Sequence, residues 1–341
     1  MKRLIPIYII ATLLLSCGKD VPDGPNVEQR NLISFGDVST RVNSANDINE
    51  FGAFIGLNLG AESEPGEKEW LSILERERIY RSGGGFTYDN KCYWVDERAF
   101  FFFGYYPYGT NVSCTQEHNL ATIDGLEQTV TTSTYTMDIS VPYAANADFM
   151  TAQRSVHTAD PDFETTVDMV FNHLLSMVSF TIKKDADGEN AEDKFVVTQL
   201  GLSGVSRTGK FTAVHTDDSY TEEFIWNDES RQIQRNNINV ELTTGGVNIL
   251  GENNGLMVMP QSLEEGDIML NISYTYQQKG TDEVLYNTKS VAIPTSTVNK
   301  WVAGKKYMYS LILDVDNSIY INTPTMTDWG TPQPGGIVII K

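Results

Sequence analysis

The chain has 341 residues and a formal net charge of −20, with 45 Asp and Glu against 25 Lys and Arg. So acidic a surface repels nucleic acid and anionic lipid, which argues against DNA- and RNA-binding functions. Three cysteines and four scattered histidines (His118, His157, His173, His215), without C-x-x-C or H-x-x-x-H spacing, argue against a structural zinc site.

The chain opens with Lys2 and Arg3, then an apolar run from Leu4 to Leu15 and the pair Ser16-Cys17. This is the layout of a bacterial secretory signal. The run is roughly 12 residues, against about 20 for a membrane-spanning helix. A small residue directly before cysteine reads as a lipobox, so residues 1–16 are expected to be removed and Cys17 to carry lipid. Several acyl chains, each buried CH₂ worth about 0.8 kcal/mol, would hold the protein on the outer membrane. The alternative is an ordinary secretory signal with an incidental cysteine. Residues 17–30 are rich in Gly, Pro, Asp and Asn and read as a flexible tether.

Export bears on the remaining cysteines, Cys92 and Cys114. In an oxidising compartment they can form one disulfide, worth roughly 3 kcal/mol in the chain-entropy model. Two buried free thiols are the alternative.

Leu32 to Phe35 is a short strand candidate, and Ser39 to Ser44 reads as a polar loop around Arg41, where an exposed arginine is open to a protease. Phe51, Ala53, Ile55, Leu57 and Leu59 alternate as in a half-buried strand. Lys68 to Arg81, with Trp70, Leu71, Leu74 and Arg78 near a 3.6-residue period, is the best helix candidate. Gly83-Gly84-Gly85 reads as a turn, since no Gly-Lys-Ser/Thr follows to make it a phosphate cradle. Phe86 to Trp94 looks like two short strands paired around Asp89-Asn90. The aromatic run from Phe100 to Tyr108 is core material, or a sugar-stacking face in which Tyr105, Tyr106 and Tyr108 are the members assigned to the surface. Thr129 to Val141 alternates again, and the polar stretch from His157 to Asp162 places a domain boundary there, giving domains at 31–162 and 163–341.

In the second half, Val170 to Ile182 reads as one long apolar strand, with His173 a core or edge histidine. Phe195–Leu202, Gly209–Val214, Val247–Leu250, Ile268–Tyr276 and Trp301–Leu313 follow as strands separated by Gly, Asn and Asp turns. Strands with almost no amphipathic helix between them indicate antiparallel sandwiches. Asp314 to Asn317 reads as a turn, lacking the glycine and terminal glutamate of a calcium loop. The end of the chain, Ile337-Val338-Ile339-Ile340 after a Gly/Pro-rich hinge, is β-branched throughout and is expected to pair with a sheet, its own or a neighbour's. No Gly-x-Ser-x-Gly elbow or Cys/His nucleophile pairing is present, and Glu264-Glu265 and Asp217-Asp218 read as turn residues. The expectation is a non-enzymatic protein with no cofactor and no catalytic residue.

An ordered set of short blocks carries a family resemblance. It comprises Ile33-Ser34-Phe35 with Thr40-Arg41, Phe51-Gly52-Ala53-Phe54, and Trp94 with Phe102-Phe103-Gly104-Tyr105-Tyr106-Pro107-Tyr108. Asp148-Phe149-Met150, Phe171 to Ser176, Met257 to Gln261 and Trp301 to Tyr307 continue it. In these blocks the chain resembles the fimbrillin family of the Bacteroidales, which includes type V pilins and related surface lipoproteins. The resemblance implies two tandem transthyretin-like, Greek-key β-sandwiches and a place in a cell-surface pilus. It implies a cut between Arg41 and Val42 that removes the lipid and the strand at Leu32–Phe35, and a donor strand at Ile337, Val338, Ile339 and Ile340 that fills the vacated groove of a neighbour. The implied partners are other pilus subunits, with surface glycans or proteins as adhesion targets. The alternative is a lipoprotein that does not polymerise, a pilus anchor or a glycan-binding module.

Overall fold

In a computed structural model the chain is described at residues 31–40, 48–58, 70–123, 126–140, 148–185, 192–206, 208–215, 220–226, 230–251, 254–314 and 318–328. Among these residues there is no α-helix; the fold is all-β. Nine strands come first: β1 Ser34–Thr40, β2 Glu50–Asn58, β3 Trp70–Ser82, β4 Gly85–Thr87, β5 Ala99–Tyr106, β6 Val112–Ile123, β7 Leu126–Ser140, β8 Met150–His157 and β9 Thr166–His173. Seven of them form one closed hydrogen-bonded path, β1-β4-β3-β2-β5-β8-β9. The path closes because β9 returns to run parallel to β1.

Alternation explains what fills this barrel. Phe51, Ala53, Ile55 and Leu57 of β2 point inward with Phe100 and Phe102 of β5, Met150 and Ala152 of β8, and Val167, Met169 and Phe171 of β9. Each fully buried side chain of this size contributes about 1.5–3 kcal/mol. The opposite face of β2 and β5 is also buried, with Phe54 set 6.4 Å from Phe103 and 5.8 Å from Tyr105 between ring centroids. Gly52 makes room there, since a Cβ on it would stand 2.0 Å from Cζ of Tyr105.

The helix expected over Lys68–Arg81 is instead strand β3, paired antiparallel with β2. The register slips twice, between Ala53 and Ile55 and between Ile55 and Gly56, and Arg76 adopts φ +55°. Such bulges insert unpaired residues and break the two-residue period. Buried Leu74, Glu77 and Ile79 are therefore spaced three and then two apart, which mimics a helical repeat. The Gly83–Gly84 turn, both residues at positive φ, joins β3 to β4 as expected. The segments flanking Asp89-Asn90 do not pair with each other. Phe86 pairs with Phe35, and Tyr93 forms a bridge with Leu32.

The expected strand over Val170–Ile182 is two strands, broken at Leu174-Leu175. β9 completes the barrel, and the chain moves to the second unit after Asn172 rather than at 162. The first unit also takes in residues 212–215 and 220–223, and the second takes in 138–140 and 148–149.

The remaining strands are β10 Ser176–Lys184, β11 Lys194–Ser206, β12 Thr208–His215, β13 Tyr220–Trp226, β14 Ser230–Arg235, β15 Val240–Glu241, β16 Val247–Asn248, β17 Leu256–Val258, β18 Gln261–Ser262, β19 Met269–Gln277, β20 Leu285–Ala292, β21 Lys300–Trp301, β22 Lys305–Leu313, β23 Ile319–Ile321 and β24 Thr325–Asp328. In the second unit one sheet centres on β10 and β22, flanked by β16, β17, β23 and β24; the other runs β14-β11-β19-β20, with β15 beside β11. Leu270, Ile272 and Tyr274 alternate inward along β19, while Tyr307, Tyr309 and Leu311 do so along β22. Two strand pairs in this otherwise largely antiparallel fold run parallel, β1 with β9 and β10 with β22.

Candidate functional site

The site built most explicitly by the fold is the seat of the first strand. Residues 31–33 are zipped to the segment after β4: Ile33 N donates to Cys92 O and Trp94 N to Asn31 O, each at 3.0 Å. Tyr88 Oη donates to Ile33 O at 2.7 Å. The chain then enters β1 between antiparallel β4 and parallel β9. The strand extends to Thr40, so the polar stretch expected to begin a loop at Ser39 starts as strand.

Between Phe35 and Val38 the register against β9 shifts by one residue, because three steps on β1 match two on β9. This bulge resets the phase of the strand. Ile33, Phe35 and Val38 all end up buried, at 0%, 4% and 1% exposure. Phe35 meets Phe51, Tyr88 and Phe102 edge-on, at 5.6, 5.8 and 6.2 Å between centroids. At the bulge a Cβ on Gly36 would come within 2.5 Å of Asp168 Oδ1 and Thr166 Cγ2. The same Asp168 oxygen accepts a hydrogen bond from Asp37 N at 2.8 Å. Burying three such side chains contributes about 5–9 kcal/mol gross. That is comparable to the whole net stability of an ordinary domain, about 5–15 kcal/mol. Loss of this strand would therefore remove a large share of what holds the first unit together.

The platform beside β1 has its own anchor. Glu77 is 8% exposed. It accepts hydrogen bonds from Asp89 N and Asn90 N, both at 3.0 Å, and from Asn90 Nδ2 at 2.7 Å. A carboxylate reading two consecutive N–H groups fixes the turn that presents residues 91–94 to the first strand. Burial pushes the Tyr88 hydroxyl up to about 12, the neutral form being favoured where it donates to Ile33 O just before β1.

The other expected site residues fall out as follows. Cys17, Arg41, Val42 and Ile337 to Ile340 lie outside the described residues. Cys92 is fully buried and disulfide-bonded; Cys114 lies on β6, its side chain outside the described residues. The expectation that Tyr105 is exposed is wrong. It is 0% exposed, because β5 is covered on both faces. Tyr106 is half-buried against the barrel core, and Tyr108 is half-buried with the Arg78 guanidinium 6.0 Å from its ring centre. Arg78 in turn pairs with Glu50. The three tyrosines therefore do not form one stacking face. His173 is buried, with Nδ1 2.8 Å from Asp148 Oδ2, as a core histidine should be. Among the described residues no three His, Cys, Asp or Glu side chains gather closely enough to hold a metal ion.

Residues 40–329 match the sequence profile of a family described as Fimbrillin-like. Among solved structures, the chain resembles a fimbrial protein from Bacteroides vulgatus ATCC 8482 at 20% identity. That match covers 87% of this chain and 99% of the other, with a TM-score of 0.56. It also resembles a candidate cell adhesion protein from Bacteroides uniformis ATCC 8492 at 18% identity, covering 89% and 100% of the two chains, with a TM-score of 0.47. At such identity the first likeness speaks to the fold alone. No curated protein matches the chain in sequence.

Proposed function

Because the chain belongs to the fimbrillin-like family, we propose that it is a structural and adhesive subunit of a cell-surface pilus, exported as a lipoprotein through Cys17 and assembled by strand exchange. In this reading a protease cuts between Arg41 and Val42, immediately beyond the end of β1. The strand is then held by hydrogen bonds and packing alone. Its departure leaves β4 and β9 with unpaired edges and the pockets of Ile33, Phe35 and Val38 open. An incoming strand satisfies both kinds of loss at once. Ile337, Val338, Ile339 and Ile340 supply the β-branched side chains for that role, and a head-to-tail donor and acceptor give an open filament. We assign Cys114 as the disulfide partner of Cys92, tying β6 to the segment that seats β1.

The observation that carries this reading is the single strand, next to an arginine, that both closes the barrel and fills its core. The test is the N-terminal residue of the protein recovered from the native cell surface, by intact mass and terminal sequencing. A start at Val42 is expected. A start at lipid-modified Cys17 in every recovered molecule would overturn the exchange and favour a non-polymerising lipoprotein.

A further inference from the structure

The second unit presents a face that strand exchange does not use. Alternation on β14, β11, β19 and β20 turns Ile233, Leu200, Leu202, Leu270 and Ile272 inward and sends neutral side chains outward. Gln232 Nε2 donates to Gln234 Oε1 at 2.9 Å, and the Gln234 and Gln199 amides both donate to Asn236 Oδ1. Ser273 Oγ lies 3.1 Å from Gln199 Oε1 and 3.0 Å from Thr288 Oγ1. One side-chain relay thus crosses all four strands. A shorter one runs beside it, with Asn271 Nδ2 donating to Ser203 Oγ at 3.0 Å and Ser290 Oγ donating to Asn271 Oδ1. None of these residues is ionisable, in a chain with 45 acidic and 25 basic side chains. At the β15 end Lys194 and Glu241 pair at 3.3 Å, and the remaining charged residues of β14 and β20, Arg231, Arg235 and Lys289, alternate with the relay residues and so belong to the other side. Tyr286, two residues before Thr288 and so on the same face, is 83% exposed.

Amides and hydroxyls that already hold one another have given up rotamer freedom before any ligand arrives, which lowers the cost of binding. The relay leaves capacity for a ligand: the Gln232, Gln234 and Gln199 amides each keep a second N–H donor, and the Ser273, Thr288 and Ser290 oxygens, whose single protons are used, keep acceptor lone pairs. A ligand rich in hydroxyls matches that mixed inventory, and a neutral one avoids stripping water from an ion. Folded protein partners favour an apolar, aromatic centre, whereas the exposed apolar side chains here, Val284, Leu285 and Tyr286, are confined to the start of the edge strand. Its lone exposed aromatic ring stands at the edge strand, where its apolar surface can meet the C–H face of a sugar ring.

We propose that the outward face of β14-β11-β19-β20 binds a neutral polysaccharide, with the Gln199–Ser273–Thr288 relay supplying hydrogen bonds and Tyr286 a stacking platform. This rests on the adhesive half of the function proposed above and is independent of strand exchange.

The test is native affinity electrophoresis of the purified, uncut protein in gels containing yeast mannan, xylan, mixed-linkage β-glucan or dextran, with alginate as the anionic control. Retardation by at least one neutral polysaccharide is expected, unchanged between about 50 and 500 mM NaCl because no ion pair is involved. Tyr286→Ala and Thr288→Glu are each expected to weaken it about tenfold, equivalent to roughly 1.4 kcal/mol. Amide exchange of the inward-facing strands checks that each variant is folded; should Thr288→Glu unfold the sheet, the exposed Tyr286→Ala decides. No retardation in any of the four neutral gels, retardation only by alginate, or retardation that Tyr286→Ala leaves intact would each overturn the proposal. Polymerisation after cleavage at Arg41, measured on the same preparations, is expected to be normal in both variants, so failure here is separable from failure of the exchange.

Discussion

Each unit contains a first strand that runs parallel to one of its last long strands, and the two are built differently. In the second unit β10 is matched to β22 without interruption, from Met177 opposite Lys306 to Lys184 opposite Leu313. On its other side it pairs with both β17 and β16. In the first unit β1 loses register with β9 after Phe35, and its partner on the other side, β4, contributes one aligned pair, Phe35 with Phe86. β10 is held by an unbroken ladder to β22 as well as by buried Val178, Phe180 and Ile182, whereas β1 has an interrupted ladder and leans more on its buried side chains. A strand held by knobs in pockets can be exchanged for another strand with knobs of similar size; one held along its whole ladder cannot be released as readily. The bulge at Gly36 is the local device that separates the two.

The contrast can be sharpened by matched truncations. Phe35→Ala is expected to cost about 3–5 kcal/mol, the range for deleting a buried ring, and to raise amide exchange through β1, β4 and β9 while leaving β10 and β22 protected. Phe180, stacked 5.7 Å from Tyr309 at 23°, is the counterpart, and Phe180→Ala should cost a similar amount with the pattern reversed. Hydrogen exchange read by mass spectrometry separates the two outcomes; equal loss of protection in both units from either variant would break the comparison.

A smaller effect is expected one step removed from the strand. Glu77→Ala strips the turn at Asp89-Asn90 of its acceptor, and a hydrogen bond to a charged group contributes about 1.5–3 kcal/mol net, less where water can reach the freed N–H groups. Net destabilisation of the first unit by about 1–3 kcal/mol is expected, seen as a lower denaturant midpoint, with exchange first at residues 31–33 and 88–94.

The smallest effect, and one common to both units, is alkaline. Burial raises the Tyr88 and Tyr309 hydroxyls to about 12, and a hydrogen bond to Asp193 does the same for Tyr276. The unfolded value is near 10. A group whose folded pKa is raised adds stability that is complete below pH 10 and is lost as pH rises through 12. The absorbance of ionised tyrosine near 295 nm should therefore lag behind free tyrosine, and melting temperatures should fall across that window. Tyr88→Phe removes the donor to Ile33 O, and it should lower protection of β1 at neutral pH while flattening the alkaline fall of the first unit. An unchanged alkaline profile in that variant would contradict the assignment.

Much of the fold was legible in the sequence because alternation survives wherever a strand has one wet face and one dry. The strands from Phe195 and Ile268 onward fall where the pattern puts them, as does the glycine turn after β3, while the strand expected over Trp301–Leu313 is split into β21 and β22 by a turn at residues 302–304. Bulges hid what alternation could not report. The one at Arg76 turned a strand into an apparent helix, and the one at Gly36 concealed that Val38 continues the inward set of Ile33 and Phe35. Tyr105 was misplaced because β5 is dry on both sides, so its phenol hydroxyl said nothing about exposure. Pairing partners are set by long-range packing, and no local pattern announces that β9 closes onto β1. The relay across β14-β11-β19-β20 left a trace in the alternating Asn271, Ser273 and Thr275, yet which polar side chains meet across strands required the register.

The most direct measurement is to cut the purified protein after Arg41 with an arginine-specific protease and follow the fragment that ends there by native mass spectrometry. The fragment is expected to stay bound to an intact first unit, then to leave as chains join end to end, with release and polymer growth in step. Loss of the fragment followed by unfolding of the first unit without polymer, or a cut protein that keeps its fragment and stays monomeric at high concentration, would contradict β1 as an exchangeable strand.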